Sequence, residues 1–177
     1  VLILSLKTDA GSSFYEHYSI QLDHPPKKPG KVNLSSKSKK IATDTTARKK
    51  ELRLISSKFA MNTQKRYFQG PFELPMKGRL SSVFGKTRFY NNGNSSSHAG
   101  VDFSNKIGTV VKAAQHGKVV LSESLKIHGN TIIIDHGFGV LSVYCHLHKL
   151  LVKENEMVKL GQKIAEMGNT GLVSGPH

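Results

Sequence analysis

The sequence predicts a mainly β protein. A C-terminal antiparallel β-sandwich or barrel follows a small N-terminal β module and a short helical linker. Three observations carry this expectation. From about residue 70 onward, short runs of Val, Ile and Leu recur at intervals of roughly eight to twelve residues, the spacing of strands joined by tight turns. Glycines from Gly78 to Gly171 punctuate those runs. Helical periodicity is confined to one stretch upstream of them. A chain of 177 residues holds one ordinary domain, or one domain with an appendage.

Taken in order, Phe14 to Leu22 alternates as a strand, with Tyr15, His17, Ser19 and Gln21 on one side and Glu16, Tyr18, Ile20 and Leu22 on the other. His24-Pro-Pro-Lys-Lys-Pro-Gly30 breaks it, and Val32-Asn-Leu34 is a second short strand. Residues 1–43 therefore read as a β module with little material for its own core. Asp44 or Thr45 can cap a helix, and Leu52, Ile55 and Phe59 recur at spacings of three and four. Residues 44–69 are thus a helical linker with Lys and Arg on its wet face. Residues 70–177 form the main domain. Its clearest strands are 109–113, 117–121, 130–135 and 140–147.

Composition excludes several classes. Hydrophobic residues make up 37% and charged residues 21%, compatible with a packed core. No run of apolar residues is long enough to span a bilayer as a helix. Val1-Leu-Ile-Leu-Ser-Leu6 is too short for a signal segment, and the chain starts without Met, as a mature or excised protein would. The single cysteine, Cys145, rules out an internal disulfide and a Cys-based zinc site, and it lies in an apolar strand where core packing is expected. The net charge of +14 divides into +9 over residues 1–70 and +5 over residues 71–177. Such a surface attracts polyanions. Between Lys27 and Lys50 the basic residues alternate with Ser, Thr and Pro rather than stacking aromatics, so specific nucleic-acid binding is not expected.

Chemistry concentrates in the second half. His98 and Asp102 would be about 13 Å apart on a straight strand. A bend at Ala99-Gly100 could bring imidazole and carboxylate to one point. In the strand ending at Leu147, Leu141, Val143, Cys145 and Leu147 form an apolar face, while Ser142, Tyr144, His146 and His148 form the exposed one. Spacing alone also allows His146 and His148 to be a ligand pair. His116, His128 and His136 sit at turns and read as structural.

Six segments occur in a telling order: Ser82-Val-Phe-Gly85, His98-xxx-Asp102, Gly129-Asn-Thr-Ile-Ile-Ile-Asp-His-Gly137, Tyr144-Cys-His-Leu147, Val158-Lys-Leu-Gly-Gln-Lys-Ile164 and Gly168-Asn-Thr-Gly-Leu-Val-Ser-Gly-Pro-His177. Together they resemble the lysostaphin/LytM-type zinc metallopeptidases, peptidoglycan endopeptidases of the bacterial envelope. The resemblance covers about residue 70 to the end. It implies that His98 and Asp102 are Zn2+ ligands and that His146 and His177 are catalytic histidines. The same resemblance makes His148 incidental and places a third ligand two residues past His177, so the site of this chain is expected to be incomplete and the chain inactive as it stands.

The implied activity is hydrolysis of peptide bonds in cell-wall peptidoglycan by metal-activated water, periplasmic or secreted, with anchoring through a segment absent from this chain. Peptidoglycan peptides are the implied partners, with anionic envelope polymers and envelope proteins beside them. The alternative is a metal-free regulatory or binding module of the same fold, such as an activator of a cell-wall amidase. Residues 152–164 also resemble a biotinyl or lipoyl carrier hammerhead, but no modifiable Lys motif accompanies them. In several relatives an upstream segment crosses the cleft and holds the enzyme latent, a role the resemblance offers for residues 1–68. The insert Arg88–Asn94 could equally wall the groove.

Overall fold

The computed structural model describes residues 2–7, 13–18 and 28–177. β1 (Leu2–Lys7) and β2 (Ser13–Tyr18) form an antiparallel pair, from Leu2 opposite Tyr18 to Lys7 opposite Ser13. The expected strand beyond Tyr18, to Leu22, lies outside the described residues, as does the proline-rich turn up to Lys27.

β3 (Gly30–Val32) is followed by α1 (Ser36–Ala42), where the sequence had suggested only β structure. Ser35 caps α1 by accepting the Ser38 N–H. α2 (Thr45–Phe59) starts at Asp44, whose carboxylate accepts the Ala47 N–H. The expected apolar stripe is not the buried one. Ile55 is buried, but Leu52 and Phe59 are 62% and 51% exposed, and Glu51 points inward instead.

The remaining strands are β4 (Arg79–Ser82), β5 (Thr87–Tyr90), β6 (Ser95–Ser97), β7 (Asp102–Ser104), β8 (Val110–Lys112), β9 (Gly117–Ser124), β10 (Asn130–Asp135), β11 (Leu141–Leu147), β12 (Lys149–Leu150), β13 (Met157–Val158) and β14 (Lys163–Glu166). They build an antiparallel sheet ordered β11-β10-β9-β13, a second ordered β12-β14-β8, and two small sheets, β3-β5-β6 and β4-β7. β3 runs parallel to β5, while β5 and β6 are antiparallel. The mainly β architecture expected from the glycine-punctuated runs is what forms.

The four-stranded sheet is covered on both faces, which explains why Thr131 to Asp135 is continuously buried. On one face Val119, Ile132, Ile134, Tyr144 and Leu147 meet Val111, Ile164 and Ala165 of the second sheet. On the other, Val120, Leu121 and Ile133 meet Ile55 of α2, with Leu54 and Leu141 at the margin. A bulge between Ile133 and Ile134, with Val120 the extra residue opposite them, lets the adjacent Val120 and Leu121 serve the same face. Burying Ile55 contributes about 2 kcal/mol of apolar transfer. Residues 63–67 then run along the turn after β10. Thr63 donates to Asp135 Oδ2 (2.5 Å), Phe138 N to Thr63 O (2.8 Å) and Tyr67 N to His136 O (2.9 Å).

Candidate active site

β11 departs from simple alternation. Tyr144 is 7% exposed and Leu147 3%, both in the core, whereas Val143 is 40% exposed. The pairing with β10 slips between Asn130 and Ile132, and His146 adopts a left-handed backbone, φ 60°. The expected exposed face of Ser142, Tyr144, His146 and His148 therefore does not exist. Tyr144 instead anchors the strand from inside, its hydroxyl accepting Ala114 N–H at 2.9 Å and contacting Ser142 Oγ at 3.0 Å. Ser142 Oγ in turn meets Nε2 of the wholly buried His136 at 2.8 Å. Burial pushes the His136 imidazole below its usual range, so it serves this network as a neutral ring.

The kink at His146 redirects its ring toward the C-terminal segment. Its Nδ1 donates to Thr170 O at 2.8 Å, which fixes the neutral tautomer and leaves the Nε2 lone pair free. Burial first, then the nearby His177 and His128, push its pKa down to about 4. His177 lies with its ring centroid 4.8 Å from that of His146, and its Nδ1 donates to Gly175 O at 2.8 Å. Close backbone approach makes this possible. Gly168 lies so near the backbone of residues 146–148 that a Cβ there would overlap it, and Gly171 abuts Gly129 in the same way. Thr170 ties the segment down, accepting Asn130 N–H and donating to Leu147 O.

His98 and Asp102 meet across the bend between β6 and β7, with Nε2 to Oδ1 at 2.9 Å. The His98 backbone is held by Lys86 and Gly85 of the β4–β5 turn. Its Nδ1 faces Val83 O at 2.9 Å, an acceptor, so this nitrogen carries a proton. The second carboxylate oxygen of Asp102 is taken by Arg88, which also donates to Ser82 Oγ at 3.1 Å.

Asp102, His146 and His177 line one groove of about 320 Å³ together with β3 and Arg88. His148 is not among the groove residues. Arg88 heads the insert that could wall the groove, and Ser82 and Thr170 stand in two of the six segments, but the sequence assigned none of them its contact with Asp102, Arg88 or His146.

The donor set suits a Lewis-acidic cation. With Nδ1 of His98 committed to a carbonyl, the 2.9 Å contact between its Nε2 and the Asp102 oxygen is satisfied by a proton on Nε2 or by a cation that both atoms share. Imidazole and carboxylate are zinc ligands by type. Among the described residues, no group of three or more His, Cys, Asp or Glu gathers at one point.

Cys145 takes no part. Burial pushes its thiol up to about 11. His128 pairs with Glu51, and His116 accepts Leu160 N–H at 3.3 Å.

A two-layered β domain thus holds paired imidazoles and the carboxylate of a His–Asp pair in one groove. Residues 96–177 match the model of peptidase family M23. Over this stretch, which is just under half of its length, the chain is similar to that family, of the LytM type. It is 39% identical over 107 residues to the peptidoglycan DD-endopeptidase ShyA of Vibrio cholerae, covering 60% of this chain and 25% of that protein. It is 39% identical over 101 residues to the murein hydrolase activator NlpD of Escherichia coli, covering 56% of this chain and 25% of that one. Among solved structures, a putative M23 peptidase from Pseudomonas aeruginosa superposes with a TM-score of 0.65 at 31% identity, covering 76% of this chain and 54% of that chain. A zinc-containing peptidase from Vibrio cholerae does so with a TM-score of 0.57 at 36% identity, over 62% of this chain and 35% of that one. The chain spans about a quarter of the length of these curated relatives.

Proposed function

We propose that the chain is a zinc-dependent endopeptidase that hydrolyses peptide bonds of bacterial cell-wall peptidoglycan in the cell envelope. One observation carries the reading. A neutral imidazole with a free Nε2, that of His146, shares a groove with the carboxylate of the His98–Asp102 pair. His98 and Asp102 would hold the Zn2+, which would supply Lewis-acid polarisation of the scissile carbonyl.

The remaining roles fall to the chain's own groups. His146 Nε2 accepts the proton of the attacking water as the water oxygen bonds to the carbonyl carbon. The same proton then goes to the leaving amine as the C–N bond breaks. His177, its ring fixed through Nδ1, presents Nε2 to the developing oxyanion or to the water. Thr170 keeps His146 in the tautomer that can accept. The net charge of +14 favours residence on an anionic wall. The similarity to ShyA supports the peptidoglycan peptide as substrate.

The test is zinc analysis together with digestion of cross-linked muropeptides, using the 177-residue chain, a form continued past His177, and His98→Ala in the continued form. Cleavage and zinc are expected in the continued form and lost in the variant. Undiminished cleavage by His98→Ala refutes the mechanism.

A second reading is favoured by the likeness to NlpD, named as a murein hydrolase activator. In that case the groove binds a protein partner, and the chain stimulates a cell-wall amidase without metal. Stimulation that survives His146→Ala would select this reading.

A further inference from the structure

We propose that the backbone amides of Lys126, Ile127 and His128 form a carboxylate site, filled by Glu51 of α2, and that Glu51 is thereby a positioning residue for both groove histidines. What those histidines then do rests on the function proposed above; their placement does not.

Glu51 is 4% exposed although it lies on a helix with a wet basic face. Its Oε1 accepts Lys126 N–H at 2.5 Å and Ile127 N–H at 2.8 Å. Its Oε2 accepts His128 N–H at 3.2 Å and faces His128 Nδ1 at 2.8 Å. Successive amides aimed at one carboxylate are an anion-binding nest. Burial raises the Glu51 pKa, but His128 and the amides outweigh it and hold the carboxyl below its ordinary value.

An ionised group at this depth is a poor choice for packing alone. An apolar side chain beside Ile55 would serve the sheet at lower desolvation cost. The carboxylate is matched instead to the turn between β9 and β10, and that turn has a second set of clients. His128 O accepts the His146 N–H at 2.9 Å, and Ile127 O accepts the Leu172 N–H at 2.7 Å. One three-residue turn thus gives its amides to Glu51 and its carbonyls to the strand bearing His146 and the segment leading to His177. His146 needs such a fixed acceptor, because its left-handed backbone, φ 60°, is strained for a residue with a Cβ. Gly129 and Gly171 meet backbone to backbone at the same junction, so a shift of the turn moves both segments together.

The test uses the whole chain, 15N-labelled, with imidazole and backbone amide NMR of the wild type, Glu51→Ala and Glu51→Gln. Lys58→Ala, which removes the Lys58–Glu154 pair from the same helix, is the control. In both Glu51 variants the amides of residues 126–128 and the ring signals of His146 and His177 are expected to shift, and in Lys58→Ala they are expected to stay. Sodium formate should return the Glu51→Ala rings toward their wild-type positions by filling the vacated nest. In the continued form, kcat on muropeptides should fall on the order of 10²-fold with KM nearly unchanged. Should Glu51→Ala fail to fold, Glu51→Gln, which keeps the side-chain volume, carries the comparison. Ring signals that stay at wild-type positions in a folded Glu51 variant overturn the proposal, as do shifted rings that formate leaves unmoved. Absence of cleavage by the wild type counts against the peptidase reading alone, because the spectra report placement without turnover.

Discussion

Acidification from pH 7 to pH 4 is expected to destabilise the protein through His146 in a way that a non-titrating replacement does not share. The ring is held neutral with its pKa pushed down to about 4, chiefly by burial. In the unfolded chain it titrates near the ordinary value of 6.5. Between these values the unfolded state carries a proton that the native state refuses, so unfolding takes up a proton and stability falls as pH falls. The contribution is fully present above pH 6.5 and is lost as pH drops through the folded-state value. A displacement of this size corresponds to about 3 kcal/mol at 1.36 kcal/mol per pH unit. The assay is urea unfolding of wild type and His146→Gln at pH 7, 6, 5 and 4. The gap in unfolding free energy between the two should move by about 3 kcal/mol against the wild type on acidification. A gap that stays constant across the series would refute the assignment of His146 as a buried neutral base.

Three further outcomes are expected. Gly137→Ala places a methyl on the Lys65 carbonyl at a φ of 86°, so residues 63–67 should detach; the check is faster tryptic cleavage at Lys65 and Arg66, with a stability loss of about 2 kcal/mol or more. Gly168→Ala should push the His177 segment off β11, lowering muropeptide kcat in the continued form while far-UV circular dichroism stays unchanged. Cys145, its thiol raised to about 11, should resist a soluble disulfide reagent at pH 8 in the native state and react promptly in denaturant.

The strands of the main domain were legible because burial on both sheet faces demands uninterrupted Val and Ile, as in Thr-Ile-Ile-Ile, and because most turns between them carry a glycine. The bend that joins His98 to Asp102 was legible for a related reason: neither a straight strand nor a helix through Gly100 accommodates them. What local pattern could not reveal was set by distant partners. Leu52 and Phe59 share a helical period with Ile55, yet the turn at residues 126–128 takes Glu51, and the stripe rotates to suit it. α1 is short, and its Ser38 is buried because its hydroxyl finds Val173 O, a contact 135 residues away. The parity of β11 fails at His146, since a positive φ at a histidine leaves no mark in composition. Arg88 reaches Asp102 only because β5 and β7 are brought into neighbourhood by the small sheets.

The doubly covered sheet has a consequence for what can be exchanged between proteins. The family signature spans residues 96–177, but the outer face of Val120, Leu121 and Ile133 is roofed by Ile55, which lies upstream of it. A graft cut at the signature would leave that face wet and prone to self-association. The unit that can be transplanted with its roof, with β3 beside β5 and with Ser38 on Val173 O therefore starts near Gly30. Recombination or engineering that respects only the motif would carry the chemistry away without its roof.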